Sequence, residues 1–396
     1  MPLLSKLLAR LPSPRRGASP AGQGDLESSI SKTINDALAA AGLLRAPLPA
    51  AAPAQPTPGP APATRPVAKL ALLAPEPVVQ PRPDTPRKRA LSPGSFVEHD
   101  FSNEAGTRRY KLYIPAGYDA EATPGYPLLV MLHGCTQSPD DFAAGTRMNA
   151  LADEHGFLVA YPAQSPNANG SKCWNWFRPG DQGREAGEPA LLAGLTRQLI
   201  QQHAVDPRRV YVAGLSAGAA MAVILGTTHP ELYAAVGAHS GLPYRAARDV
   251  PSAFAAMGGT HALREVAAET DANARQGKRP PAPVVPLIVF HGDADHTVAP
   301  ANGEALVKQA TGAASELLPE SQRKAVAANG RNYTHSVYTT SLGEPLVEYW
   351  QVHGGGHAWF GGSSDGSYTD PRGPDASAEM VRFFLKVKQQ HAPSAQ

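Results

Sequence analysis

The sequence predicts an α/β fold, a mostly parallel sheet with helices on both faces, preceded by a disordered N-terminal segment rich in proline and alanine. Three observations predict it. Four short apolar runs, Pro127–Leu132, Val210–Ala213, Pro286–His291 and Val347–Val352, read as buried strands, and each opens into a glycine-bearing loop. The run at Val210 leads through Gly214-Leu215-Ser216-Ala217-Gly218 into Ala217–Leu225, which reads as a helix, so strand, tight turn and helix follow one another. Finally, Ala46 to Pro93 is dense in proline and alanine, whereas strand and helix signals begin after about Val97.

That change in composition sets the expected domains. The many prolines of residues 46–93 lack backbone donors, so the segment reads as an extended, disordered linker that does not pack. Residues 1–45 form a short tail in which Ile30, Ile34, Ala37, Leu38 and Ala41 recur at helical spacing, with Gly42 as a stop. Such a helix is too short to stand alone. Residues 94–390 are then the catalytic domain, and the chain of 396 residues is long enough for one large domain with an extension. At the front, Lys6 and Arg10 interrupt the leucines, and Arg15-Arg16 is followed by Gly17-Ala18-Ser19-Pro20 rather than an apolar stretch. Read physically, this front carries no cleavable export signal, which points to the cytoplasm.

A net charge of +2 implies no nucleic-acid partner and no strongly anionic membrane partner. Arg87-Lys88-Arg89 reads as a solvated patch of the linker. No apolar run reaches 18 residues, so no transmembrane helix is expected. Walker A, H-E-x-x-H, paired C-x-x-C and dinucleotide glycine patterns are all missing, so the chemistry is expected to need no metal and no organic cofactor.

The segment Gly214-Leu215-Ser216-Ala217-Gly218 fits the G-x-S-x-G nucleophile elbow. The turn holds the serine in a strained conformation with its hydroxyl in the open, and a Cβ at Gly214 or Gly218 would collide with the neighbouring strand or helix. A serine nucleophile needs a base, and the base needs a carboxylate to orient it. In α/β-hydrolases these follow in the order Ser, Asp or Glu, His. The strand ending at His291 opens into Gly292-Asp293-Ala294-Asp295-His296-Thr297-Val298. Asp295, further out on the loop, is the expected partner, and Asp293 is expected to support the turn through backbone amides. The strand ending at Val352 opens into His353-Gly354-Gly355-Gly356-His357-Ala358-Trp359, where His357 and His353 both qualify as the base. His353 is assigned to packing or solvent, as are His229 before Pro230 and His155 before Gly156.

An oxyanion hole completes the set. The strand Pro127–Leu132 ends in His133-Gly134-Cys135-Thr136-Gln137, where this fold offers one backbone N–H. The amide of Cys135 is assigned as that donor and the amide of Ala217, after the nucleophile, as the other. Cys135 and Cys173 are the only cysteines. They form a disulfide in an oxidising compartment or stay two buried small apolar residues, and both readings are open. Trp174, Trp176 and Trp359 are candidate substrate-binding walls, with a plain core role as the alternative.

Several segments carry a resemblance. They are Leu132-His133-Gly134-Cys135-Thr136-Gln137, Cys173-Trp174-Asn175-Trp176-Phe177 and Asp206–Gly218, together with His291-Gly292-Asp293-Ala294-Asp295, Gly356-His357-Ala358-Trp359 and Gly373-Pro374-Asp375-Ala376. From about Val97 to Phe384 the chain resembles the esterase/poly(3-hydroxybutyrate) depolymerase family of α/β-hydrolases. The resemblance implies a serine esterase with Ser216, Asp295 and His357 as its triad, acting on 3-hydroxybutyrate oligomers or polymer outside the cell. Ala219 stands where the family often has a third glycine, and Phe360 where proline often follows. Polymer-degrading members usually carry a substrate-binding module after the catalytic domain, whereas this chain ends soon after Phe383-Phe384-Leu385-Lys386. Short hydroxyalkanoate oligomers are therefore the expected substrate. A feruloyl or acetyl-xylan esterase is the rival within the same chemistry. A non-catalytic binding protein on the same fold is the rival of another class, although such proteins typically lose a triad member. The apolar stripe of the tail is a candidate tether to a hydrophobic surface such as a polyester granule.

Overall fold

Ten strands form one continuous sheet among the described residues, in the order β1-β2-β4-β3-β5-β6-β7-β10-β9-β8. They are β1 (Ser95–Asn103), β2 (Gly106–Ile114), β3 (Tyr126–Leu132), β4 (Leu158–Pro162), β5 (Val205–Leu215), β6 (Ala235–His239), β7 (Leu287–Gly292), β8 (Glu320–Val326), β9 (Asn332–Thr339) and β10 (Pro345–Val352). The computed structural model describes residues 93–260, 285–312, 320–328, 330–340, 343 and 345–387. The tail helix expected over Ile30–Ala41 and nearly all of the linker lie outside them.

The six central strands, from β4 to β10 in the sheet order, run parallel. Antiparallel ribbons close both sides, β1 and β2 beyond β4, and β9 and β8 beyond β10. The four runs read from the sequence are β3, β5, β7 and β10; β3, β5 and β10 are longer than the runs, and β7 is shifted by one residue. The register aligns their C-terminal ends. Leu132 pairs with Gly214, Leu215 with His239, His239 with Phe290 and Val352 with Gly292.

Alternation along the strands divides the core in two, because successive side chains leave a strand on opposite faces. Leu128, Val130, Leu132, Val210, Val212, Val289 and Val347 pack on one face with the helices α3 (Gly187–Gln202), α4 (Ala217–Thr228), α5 (Val250–Met257) and α6 (Ala301–Gly312). Leu129, Met131, Tyr211, Ala213, Ile288, Phe290 and Val352 pack on the other with α1 (Pro139–Thr146), α2 (Met148–His155) and α7 (Ala376–Lys386). Both faces are covered, so the central strands are apolar throughout, as a parallel sheet requires. The edge strand β8 is Glu-Ser-Gln-Arg-Lys-Ala-Val, and its charges discourage pairing with another chain.

Helix ends follow their capping residues. Ser138 accepts from the Asp141 amide at the start of α1, and Asp249 and Ser252 form a capping box on α5. In the Gly-Pro-Asp-Ala segment, Asp375 caps α7 by accepting from the Ala378 amide at 3.0 Å, and it also meets Arg147 at 3.1 Å. That helix docks by stacking Phe384 on Tyr211, with ring centroids 5.0 Å apart. Phe384→Ala is expected to lower unfolding stability by about 3–5 kcal/mol in a urea titration. A loss below about 1 kcal/mol would mean that α7 is not seated on β5 in this way.

Candidate active site

Cys135, Ser216, Asp295 and His357 lie on the segments that follow the C-terminal ends of β3, β5, β7 and β10. Ser216 follows β5 directly and holds φ 57° and ψ −118°, a conformation that costs a residue with a Cβ about 1–3 kcal/mol. Hydrogen bonds hold it there. The Ser216 amide donates to the His239 carbonyl at 2.9 Å, and the Ser216 carbonyl accepts from Ala220 at 3.0 Å. A Cβ on Gly214 would lie 2.6 Å from the Leu132 carbonyl oxygen, and one on Gly218 would lie 2.6 Å from that of His133. The first turn of α4 therefore sits against the end of β3, which only glycine at both places allows. Ser216 makes no side-chain cap on α4, so the amides of its first turn, Ala217 included, carry the helix's partial positive charge toward the edge.

The loops after β7 and β10 supply the acid and the imidazole. His357 Nδ1 and Asp295 Oδ2 are 2.8 Å apart, with His357 6% and Asp295 2% exposed. An ionised carboxylate only accepts, so Nδ1 carries a proton, and in the neutral ring the lone pair is then on Nε2. The other oxygen of Asp295 accepts from the amides of Thr297 and Val298, each at 2.9 Å. Burial opposes charge on Asp295, but the facing His357, the hydrogen bond to it, His291 and the Val298 amide outweigh burial and hold the carboxyl at about 2.

Asp293, two residues earlier in the same loop, is more exposed. It accepts from the Gly354 amide at 2.7 Å, as a turn-supporting aspartate should. It also meets His353 Nδ1 at 2.8 Å, and His353 Nε2 lies 2.9 Å from Thr334 Oγ1. The loops after β7 and β10 are thus joined by two Asp–His pairs, a doubling that sequence reasoning missed. Its only trace was two aspartates and two histidines on facing loops.

In the His133–Gln137 turn, the amide of Gly134 donates to Gln137 Oε1 at 2.8 Å, that of Thr136 to the Ser171 carbonyl at 2.7 Å, and that of Gln137 to the Gly134 carbonyl at 3.4 Å. The Cys135 amide has no such acceptor among the described residues. Cys135 itself is joined to Cys173 by a disulfide. The three tryptophans are all buried, and none offers a ring face to solvent. Trp174 is 0% exposed and donates from Nε1 to the His133 carbonyl at 3.0 Å. Trp359 is 1% exposed, stacks on His239 and donates to Ser377 Oγ at 2.9 Å. Trp176 is 5% exposed, edge-on to Phe177. These placements give Trp174 and Trp359 a packing role.

Behind the turn lies a buried polar network that the sequence did not reveal. Glu188, in the first turn of α3, accepts from the Asn175 amide at 2.7 Å, from Asn175 Nδ2 at 3.0 Å and from Gln164 Nε2, with Arg108 3.6 Å away. Burial and the nearby Asp181 raise the Glu188 carboxyl to about 7 against the pull of these donors. No group of three or more His, Cys, Asp or Glu suited to a metal ion occurs among the described residues, and no helix among them is long and apolar enough to cross a membrane.

A parallel sheet with helices on both faces and an elbow serine at its edge defines an α/β-hydrolase fold. The family model described as esterase PHB depolymerase matches residues 108–327, and the chain belongs to that family. It is 35% identical over 259 residues to poly(3-hydroxyalkanoate) depolymerase C of Paucimonas lemoignei, covering 65% of this chain and 60% of that one. It is 30% identical over 258 residues to feruloyl esterase B of Neurospora crassa, covering 63% of this chain and 82% of that one. Among solved structures, an acetyl xylan esterase from Aspergillus awamori superposes with a TM-score of 0.55 at 20% identity, over 74% of this chain and 98% of that one. The chain thus spans about three fifths of the length of the depolymerase it matches.

The disulfide closes a loop between positions 38 residues apart. Reducing it is expected to lower unfolding stability by about 2–4 kcal/mol, read by urea titration with and without dithiothreitol. An unchanged midpoint would show that the native protein does not hold this bond.

Proposed function

We propose that the chain is a serine esterase whose catalytic domain, residues 94–390, cleaves carboxylic esters through Ser216, His357 and Asp295. The observation that carries this reading is the placement, on loops at one sheet edge, of an elbow serine at φ 57° and a buried Asp–His pair. In this mechanism His357, oriented by Asp295, takes the Ser216 proton as Oγ attacks the ester carbonyl. The amides of Cys135 and Ala217 stabilise the tetrahedral oxyanion, each contributing about 3 kcal/mol to the lowering of the barrier. The alcohol leaves with a proton from His357, and water then hydrolyses the acyl-enzyme with the roles reversed. The substrate we assign is a short hydroxyalkanoate oligomer, a choice supported by the similarity to a poly(3-hydroxyalkanoate) depolymerase. The Cys135–Cys173 disulfide supports an oxidising, extracellular location.

Ser216→Ala is expected to lower kcat on p-nitrophenyl butyrate about a million-fold without unfolding the protein, and Asp295→Asn about ten-thousand-fold. Asp293→Asn should mainly lower stability. A folded Ser216→Ala protein that keeps a few per cent of activity excludes Ser216 as nucleophile, and a larger kcat loss in Asp293→Asn reverses the choice of aspartate. The wild type is then offered hydroxybutyrate trimer, methyl ferulate, acetylated xylan and a polyester film. Preference for the ferulate or the xylan replaces the substrate assigned here. No turnover of any ester favours a binding protein on the same fold.

The front of the chain belongs to the same proposal. The stripe Ile30, Ile34, Ala37, Leu38 and Ala41, on a long proline-rich leash, tethers the enzyme to a hydrophobic surface such as a polyester granule. Deleting residues 1–93 should leave the rate on a soluble ester unchanged and weaken binding to polymer particles. Loss of soluble-ester activity would place the front segment inside the fold and move the domain boundary.

A further inference from the structure

We propose that His239 is a positioning residue that sets the nucleophile against the imidazole loop: its carbonyl takes the amide of Ser216, and its ring nitrogen Nε2 takes the amide of Phe360, just beyond His357. The inference rests on the triad reading given above and adds a residue that does not itself touch the substrate.

β6 contributes no member of the proposed triad. It lies between β5, which leads to Ser216, and β7, which leads to Asp295. His239 is its last residue, paired with Leu215 on one side and with Phe290 on the other. The Ser216 amide donates to its carbonyl at 2.9 Å. Its ring stacks on Trp359, with centroids 4.9 Å apart, and on Phe290 at 5.7 Å. The Phe360 amide donates to Nε2 at 3.0 Å. One residue thus touches the segments that carry all three expected catalytic groups. The neighbouring amides of Trp359 and Gly361 donate instead to the carbonyls of Tyr368 and Asp370, later in the same segment. Of these three amides, that of Phe360 reaches across to the strand beside the nucleophile.

A donor at Nε2 requires a lone pair there, so the neutral ring carries its proton on Nδ1, 3.4 Å from Ser240 Oγ. Burial, with His291 and His357 nearby, pushes the pKa of this 0% exposed ring well below the ordinary histidine value, against the pull of Asp295. The ring is therefore neutral at pH 7, and the acceptor persists. Phe360 is also fully buried, so an unmade bond would leave its N–H with neither water nor partner. Phe360 stands where the family often has proline, and proline has no N–H to donate. The link thus belongs to this chain's own residues at 239 and 360. Its consequence is alignment, because a displacement of about 1 Å between reacting groups costs about 100-fold in rate.

The test compares two variants of the full-length protein. His239→Phe keeps a flat ring beside Trp359 and Phe290 and removes the acceptor. His239→Gln places Oε1 near the position of Nε2 and restores it. In His239→Phe, kcat on p-nitrophenyl butyrate should fall about 100-fold with KM nearly unchanged. Labelling of Ser216 by a fluorophosphonate should slow in parallel, and His239→Gln should recover most of both losses. Proton NMR should still show the low-field Nδ1–H of His357 bonded to Asp295, because that pair is intact. Wild-type kcat in a folded His239→Phe protein overturns the proposal. So does a His239→Gln protein as slow as His239→Phe, or loss of the low-field signal, which would trace the defect to a broken Asp–His pair. The wild type gives a readout independent of any variant's folding. A nitrogen–nitrogen coupling through the hydrogen bond between the Phe360 amide and His239 Nε2 is expected, and its absence overturns the proposal. If a fluorophosphonate neither labels Ser216 in the wild type nor blocks hydrolysis, the triad reading falls and this inference with it. Labelling of the wild type together with an undiminished rate in His239→Phe removes this inference alone.

Discussion

The structure turns on one close approach, the first turn of α4 against the end of β3. Side chains at 214 and 218 would drive into the carbonyls of Leu132 and His133, so the helix can start there only if both positions are bare. Much else follows from that contact. The chain must reverse from strand to helix over one residue, which leaves Ser216 at positive φ with its hydroxyl at the sheet edge. The same contact sets the first turn of α4 against the carbonyls of Leu132 and His133, where the His133–Gln137 turn begins. Packed against β3, β5 and β6, α4 is buried from Ala217 to Gly226, which explains its apolar sequence from Ala219 to Leu225.

A second layer lies beneath the turn. Burying Glu188, Arg108, Gln164 and Asn175 is costly unless each finds partners, and nearly every polar atom in the group does. The exception among them is Arg108 Nε, although its guanidinium lies over the Trp174 ring at 5.7 Å and near Glu188. The network draws on β2, the loop after β4, the Cys173–Phe177 segment and α3. Because these converge on His133, Trp174 and Cys173, the His133–Gln137 turn is held by hydrogen bonds, a disulfide and a packed indole together.

The legible part of the sequence was the part with no solvent exposure. β3, β5, β7 and β10 are apolar runs because both their faces are covered, and the elbow stands out because its glycines answer a steric demand. The outer strands gave weaker signals. β8 is mostly polar, and β1 has no strong apolar face, so neither rises above a loop by composition. The tryptophans illustrate a different limit. An aromatic residue near the catalytic motifs has the same sequence whether it lines a pocket or fills the core, and only packing distinguishes the two. Glu188 and the His133 ring escaped for a related reason, since a hydrogen-bond network joining β2, β4 and α3 has no sequence period.

The two Asp–His pairs show how burial, rather than residue type, separates roles that the sequence left in competition. Both bridge the same loops at the same 2.8 Å. The outer pair, Asp293 and His353, has side chains 36% and 38% exposed, where water screens an ion pair to about 0–1 kcal/mol. Its value lies in geometry. Asp293 fixes the Gly354 amide, and the Asp293 and Ala294 amides donate to the Val352 and Gly355 carbonyls, which seats one loop on the other. The inner pair sits where little water reaches, so the carboxylate acts strongly on the His357 imidazole and holds its tautomer. A proton-transferring base needs that second environment, and the outer clasp fixes the approach of the loops that create it.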